Sequence, residues 1–164
     1  YYYITYDELK HIIKKEDTSN VTNMKNMFYF CTSLETIPLL DTSNVTNMTS
    51  MFYDCSSLKA IPLLNTSNVT NMVSMFYDCI LLETIPLLDT SNVTDMNGMF
   101  AYCQKLTSLN VSNFNTSNVT NMSAMFFGCS NLTKIIVGSK WIINSGTNTN
   151  GMFSNCGTQT VTRQ

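Results

Sequence analysis

The chain has 164 residues, nine Lys+Arg against eleven Asp+Glu, a formal net charge of -2 and only 12% charged residues. That length suits one domain able to bury its own core, and no run of like charges offers an electrostatic footprint for nucleic acid or anionic lipid. No apolar run approaches the roughly 18 residues of a membrane span and no signal peptide is visible, so with Tyr1 in place of Met the sequence reads as a mature form or an excised fragment.

At the N-terminus, Thr5-Tyr6-Asp7-Glu8 has capping-box spacing and leads into Leu9, Ile12 and Ile13, with Lys10, Lys14 and Lys15 on the opposite side. The pattern predicts an amphipathic helix within residues 1–16 that covers the first coil of a repeat array beginning just after it. His11, the one histidine, sits in that helix as a solvated residue. No acid or nucleophile accompanies it in a recognisable motif, which argues against a hydrolase triad.

From Thr18 onward the chain repeats. Thr-Ser-Asn-Val-Thr begins at Thr18, Thr42, Thr66, Thr90 and Thr116, at intervals of 24, 24, 24 and 26 residues. Each block is followed by Met-x-x-Met-Phe-x-x-Cys-x-x-Leu, as at Met48, Met51, Phe52, Cys55 and Leu58, and a degenerate sixth copy keeps Met152, Phe153 and Cys156. All eleven Met and all six Cys fall at these repeat positions, which makes them building material rather than bearers of a singular chemistry. The i, i+3, i+4, i+7 spacing of Met48, Met51, Phe52 and Cys55 predicts a short helix with one apolar face, with Asn47 as its N-cap. Ile61-Pro62-Leu63-Leu64 then reads as a short extended segment, because Pro62 forbids a continuing helix. Asp41, Asn65 and Asp89 supply the turns that reverse the chain. Such a unit cannot bury its apolar face alone and must stack on its neighbours, at about 4.8 Å between paired strands. Near the end, Ile135-Ile136-Val137-Gly138 and Trp141-Ile142-Ile143 depart from the repeat as a closing unit would.

The run Met51-Phe52-Tyr53-Asp54-Cys55-Ser56-Ser57-Leu58-Lys59-Ala60-Ile61-Pro62 resembles the Ala-Phe-x-x-Cys-x-x-Leu-x-x-Ile-x-x-Pro repeat of the BspA-like, Treponema-type leucine-rich-repeat surface proteins. The Thr-Ser-Asn-Val-Thr-Asn-Met-x-x-Met-Phe block is similar to the related repeat of mycoplasma and gut-bacterial surface proteins. The resemblance runs from about Asp17 to Cys156 and departs from the pattern at Met in place of Ala before Phe and at the insertion around Asn110 to Phe114. It implies an α/β, leucine-rich-repeat-like right-handed solenoid of about six coils, with short parallel strands and short helices. The expected organisation is one repeat domain over residues 1–164: an N-terminal cap (1–16), five repeats (17–134) and a degenerate closing repeat with its tail (135–164). It further implies extracellular or cell-surface display and adhesion to a protein or glycan of a host or another cell, and brings no catalytic motif.

The six Cys invite a metal or disulfide reading. Their spacings of 24, 24, 24, 26 and 27 match no zinc signature, and a single ladder along the core would make them small hydrophobes, although adjacent rungs lie within reach of a bridge. Each Asn-Val-Thr from Asn20 to Asn118 formally matches the N-glycosylation pattern, yet these arise from the repeat and suit Asn side chains bonded to turn backbone. A row of Thr22, Thr46, Thr70, Thr94 and Thr120 raises an ice-binding reading, opposed by Asn23, Asn47 and Asn71 beside it. Two rows are candidates for contact with a partner. If Ile61 and Leu63 face inward, strict alternation places Ala60, Pro62 and Leu64 outside, and likewise Leu40 and Leu88. In the other reading the chain turns at the last Leu and buries it at a corner. Tyr29, Tyr53 and Tyr77 form the second row, suited to contacts and equally able to fill space between elements. The function these features imply is a non-enzymatic surface module binding protein or glycan, without cofactor or metal. A structural spacer in a larger appendage is the rival.

Overall fold

A computed structural model describes residues 17–164. The N-terminal helix expected within residues 1–16, and with it His11, lies outside the described residues. From Asp17 on, residues one repeat apart lie side by side. A parallel bridge row runs Asn23, Asn47, Asn71, Asp95, Asn121 and Asn148, so like positions of successive repeats form columns.

The block expected to be helical is instead a run of tight turns, and no helix occurs among the described residues. Its amides take two directions in alternation. Those of Met48, Ser50, Phe52 and Asp54 donate to the carbonyls of Asn71, Val73, Met75 and Tyr77 in the next coil at 3.0, 2.8, 2.9 and 2.8 Å. Those of Met51, Tyr53 and Cys55 close turns on Met48, Ser50 and Phe52 within the same coil. An α-helix would spend every amide on its own i−4 carbonyl and leave nothing for a neighbour. The alternation requires Ser50 and Asp54 in the left-handed region, at φ 52° and 54°, and the same pair of positions recurs at Ser74/Asp78 and Gly98/Tyr102. Asn47 still caps, as its Oδ1 accepts the Thr49 amide at 2.9 Å, but the structure it caps is a turn.

A side chain branched at Cβ is poorly accommodated at positive φ. Ser50→Val is therefore expected to cost about 1–2 kcal/mol, while Ser50→Gly stays within about 0.5 kcal/mol of wild type; urea unfolding of the two variants checks the difference.

On the opposite side of the coil, three strands form one parallel sheet: β1 (Ser108–Val111), β2 (Lys134–Val137) and β3 (Thr162–Arg163), in the order β1-β2-β3. Ser108 pairs with Lys134 and Ile136 with Thr162. The earlier coils carry Pro38, Pro62 and Pro86 where β1 and β2 have Asn110 and Ile136. Proline has no N–H to give a ladder. Accordingly the Ile-Pro-Leu-Leu segments run extended without backbone hydrogen bonds to one another among the described residues.

At the end of β2 the chain approaches β1's exit so closely that a Cβ on Gly138 would overlap the Ser112 carbonyl oxygen. Backbone on the far side cannot swing away as a side chain would. Gly138→Ala is expected to cost about 1–3 kcal/mol, read as a lowered thermal midpoint, whereas Gly146→Ala, with open space around its Cβ position, leaves it unchanged.

The core is a set of columns. Phe28, Phe52, Phe76, Phe100, Phe126 and Phe153 stack with centroids 5.4, 5.5, 5.6, 5.9 and 5.7 Å apart and planes within 15° of parallel. Rows of Met, Leu and Val flank them, and Trp141 fills the closing coil. Buried Thr42, Thr66, Thr90 and Thr116 donate to the carbonyls of Asn65, Asp89, Asn115 and Ile142, so this polar row in the core satisfies itself.

Candidate functional site

Where proline keeps the extended segments unpaired, the surface opens into a groove of about 640 Å³. Its apolar wall is Leu39, Leu63 and Leu87, exposed to 73%, 61% and 58%. Leu40, Leu64 and Leu88, which strict alternation would have placed outside, are buried at 4%, 2% and 0%. That expectation is corrected: these three hold the corner of the coil and are not open to a partner. The reason is local. Ile37 and Leu40 both point inward, three residues apart, and a segment without ladder hydrogen bonds has no obligation to a period of two. The reading in which the last Leu turns the corner is the one that holds.

Asp41, Asn65 and Asp89 form the rim. Asp41 Oδ1 accepts from the Ser43 hydroxyl at 2.7 Å and the Ser43 amide at 3.0 Å, and these bonds hold its carboxyl below the usual range. Asp89 is lowered in the same way by the Ser91 amide and then its hydroxyl. The rim is thus negative at neutral pH at two of three positions. In the following coil Asn113 takes the position of Leu87 and donates from Nδ2 to the Leu88 carbonyl at 2.6 Å, which ends the stripe.

The tyrosine row is present and differs in character. Tyr29, Tyr53 and Tyr77 are stacked on one another, with centroids 4.9 and 4.5 Å apart, and Tyr102 and Phe127 continue the row edge-on. Phe30 leans on Tyr29 at 4.7 Å. The ring faces of Tyr53 and Tyr77 are consumed by their neighbours, so the row offers edges and hydroxyls rather than the open faces on which a sugar stacks. Desolvation and the adjacent tyrosines push the Tyr77 hydroxyl up to about 12, which keeps it neutral.

Other rows are self-satisfied. Thr46, Thr70, Thr94 and Thr120 each donate to the preceding threonine's carbonyl at 3.2 Å, so their hydroxyl hydrogens point along the row and not towards solvent. Asn44, Asn68, Asn92 and Asn118 donate from Nδ2 to Ser19, Ser43, Ser67 and Ser91 carbonyls, forming the turn ladder expected of them. The six cysteines are free. Cys55, Cys79, Cys103 and Cys129 donate their thiols to the buried carbonyls of Phe28, Phe52, Phe76 and Phe100 at 2.9 to 3.1 Å. Burial raises all four, the opposite of what a nucleophilic thiolate needs. Among the described residues no three of His, Cys, Asp and Glu are grouped to hold a metal ion.

Comparison with known proteins matches residues 2–84 and 59–162 to a family described as "Mycoplasma protein of unknown function, DUF285". No curated protein matches. Among solved structures, a leucine-rich repeat protein from Bacteroides ovatus ATCC 8483 aligns at 20% identity and a TM-score of 0.37, over 88% of this chain and 53% of that one. The chain thus spans about half the length of that protein.

Proposed function

Since this chain belongs to the DUF285 family of Mycoplasma proteins of unknown function, we propose that it is a non-enzymatic binding module displayed at a cell surface, which holds a protein partner in the Leu39/Leu63/Leu87 groove. The architecture we propose for it is a single leucine-rich-repeat-like domain over residues 1–164, a right-handed solenoid of about six coils of the BspA-like kind. One observation carries the binding reading: three large apolar side chains stand in line, 58–73% exposed, while every other leucine among the described residues except Leu81 is buried. A contiguous exposed apolar stripe with a polar rim is the surface that a partner covers. Among the described residues the extended segments beneath it make no backbone hydrogen bonds to one another, which suits an extended peptide that binds by main-chain hydrogen bonds. The rim carboxylates favour a partner segment with basic residues flanking its apolar ones.

A protein partner fits better than a glycan, because the stacked tyrosines withhold their faces. The test is a binding panel of immobilised extracellular-matrix proteins and a glycan array, probed with wild type and with Leu39→Asp/Leu63→Asp/Leu87→Asp. Wild type is expected to bind protein, and the triple variant to lose at least about tenfold, since covering even one such leucine contributes about 1.5–3 kcal/mol. The variant should unfold at the wild-type temperature because the three side chains are outside the core. Equal binding by both proteins removes the groove from the account. Binding to the glycan array alone removes the protein partner, and no binding anywhere leaves the spacer reading.

A further inference from the structure

The outer side of the turn blocks carries a column of phenols. Tyr53 and Tyr77, 24 residues apart in the sequence, stack with ring centroids 4.5 Å apart and planes within 3° of parallel, the closest pair of tyrosines among the described residues. Their neighbours are looser or turned: Tyr29 lies 4.9 Å from Tyr53 at 29°, and Tyr102 meets Tyr77 edge-on at 5.3 Å and 66°. The backbone holds the pair in register. The Tyr53 carbonyl accepts from the Phe30 amide and the Tyr77 carbonyl from the Asp54 amide, each at 2.8 Å, while the amides of Tyr53 and Tyr77 close turns on Ser50 and Ser74. Both phenols are half-buried, so part of each ring reaches solvent.

The other oxidisable side chains of these two coils are withdrawn. Met48, Met51, Met72, Met75, Cys55 and Cys79 have no exposed surface. Burial also raises Cys55 and Cys79, which keeps them as thiols and denies an oxidant the thiolate it attacks. A one-electron oxidant arriving at these coils from solvent therefore meets the phenols first, and meets two of them in contact.

We propose that Tyr53 and Tyr77 form an oxidative cross-linking site, at which hydrogen peroxide acting through a one-electron peroxidase joins the two rings as dityrosine. Each phenol gives up one electron and its hydroxyl proton. The two radicals pair, a carbon–carbon bond forms between the ring carbons beside the hydroxyls, and the hydrogen on each of those carbons leaves as a proton and restores the phenol O–H. The pair as a whole loses two hydrogen atoms, which convert one hydrogen peroxide to two waters. Contact within one chain favours this coupling over an encounter between molecules. The rings turn about their side-chain bonds while the backbone stays in place. The link closes a 24-residue span between adjacent coils and restrains the unfolded chain as a disulfide of that span would. It makes no use of the Leu39/Leu63/Leu87 groove, so it stands apart from the binding reading.

The experiment treats the full chain at low micromolar concentration with a haem peroxidase and hydrogen peroxide, isolates the monomer, and reads its dityrosine fluorescence and the masses of its proteolytic peptides. The expected product is a monomer lighter by two hydrogens, in which fragmentation places the link between Tyr53 and Tyr77. Tyr53→Phe and Tyr77→Phe each keep the ring and change only the hydroxyl, so both are expected to retain the wild-type circular dichroism. Each should lose the monomer's dityrosine fluorescence at least about tenfold, because the remaining pairs lack the same contact. Tyr102→Phe should keep it. A monomer without dityrosine overturns the proposal. So does a link that joins other tyrosines in preference to this pair, or a Tyr53→Phe or Tyr77→Phe chain that fluoresces as wild type does.

Discussion

Phe76→Ala is expected to destabilise the protein by about 3–5 kcal/mol, the range for emptying a fully buried aromatic site. Phe76 has no exposed surface and lies between Phe52 and Phe100 at 5.5 and 5.6 Å, so its removal opens a void within two coil interfaces at once. The rings on either side are fixed by backbone hydrogen bonds to their neighbours and cannot close the gap. Phe153→Ala, at the end of the column and stacked on Phe126 alone, should cost less than half as much. Urea unfolding of the two variants reads the ratio. Equal losses would mean that the column does not act as a continuous core.

Alkaline pH should unfold the protein by a route that the thiols control. Burial pushes Cys129 from the ordinary 9.0 up to about 12, and raises Cys55, Cys79 and Cys103 as well. A thiol whose folded pKa lies above its unfolded value lends its full stability below about pH 9. That contribution is lost as pH climbs towards the folded value, because the unfolded state releases its proton first. Between about pH 9 and 12 Cys129 should lower stability by about 1 kcal/mol per pH unit, and Cys55, Cys79 and Cys103 act in the same direction. Four of them together make the slope steep, and stability should be level from neutrality to about pH 8. Urea midpoints at a series of pH values measure it, and Cys129→Ala should flatten the slope by about one thiol's share. A pH-independent midpoint up to pH 11 would show that these thiols are not buried as described.

The columns were legible in the sequence because a strict 24-residue period leaves little freedom for Met, Phe and Cys that recur together. The burial of the thiols as small hydrophobes, and the Asn ladder along the turns, came from the same period. The conformation of the turn block did not. Met48, Met51, Phe52 and Cys55 have helical spacing, but two successive turns with left-handed residues at Ser50 and Asp54 bring the same four side chains to one side. A signal was present. The twelve positions equivalent to Ser50 and Asp54 carry Gly at Gly98, Gly128 and Gly151, and Asn or Asp at Asn26, Asp54, Asp78 and Asn155, the residues that tolerate positive φ. The groove was misplaced by a single residue, from Leu63 to Leu64, because strand alternation was applied to a segment whose proline removes the ladder that enforces it. The sheet at β1 and β2, where Asn110 and Ile136 replace that proline, does alternate, with Leu109 and Val111 inside and Ser108 and Asn110 outside.

The central claim is that the turn block gives its amides to the neighbouring coil instead of to itself, and NMR couplings through hydrogen bonds read this directly. A correlation from the Phe52 amide to the Met75 carbonyl, with its counterpart from Ser50 to Val73, is the expected result. A correlation from Phe52 to the carbonyl of Met48, four residues back in its own segment, would show a helix there and contradict the account.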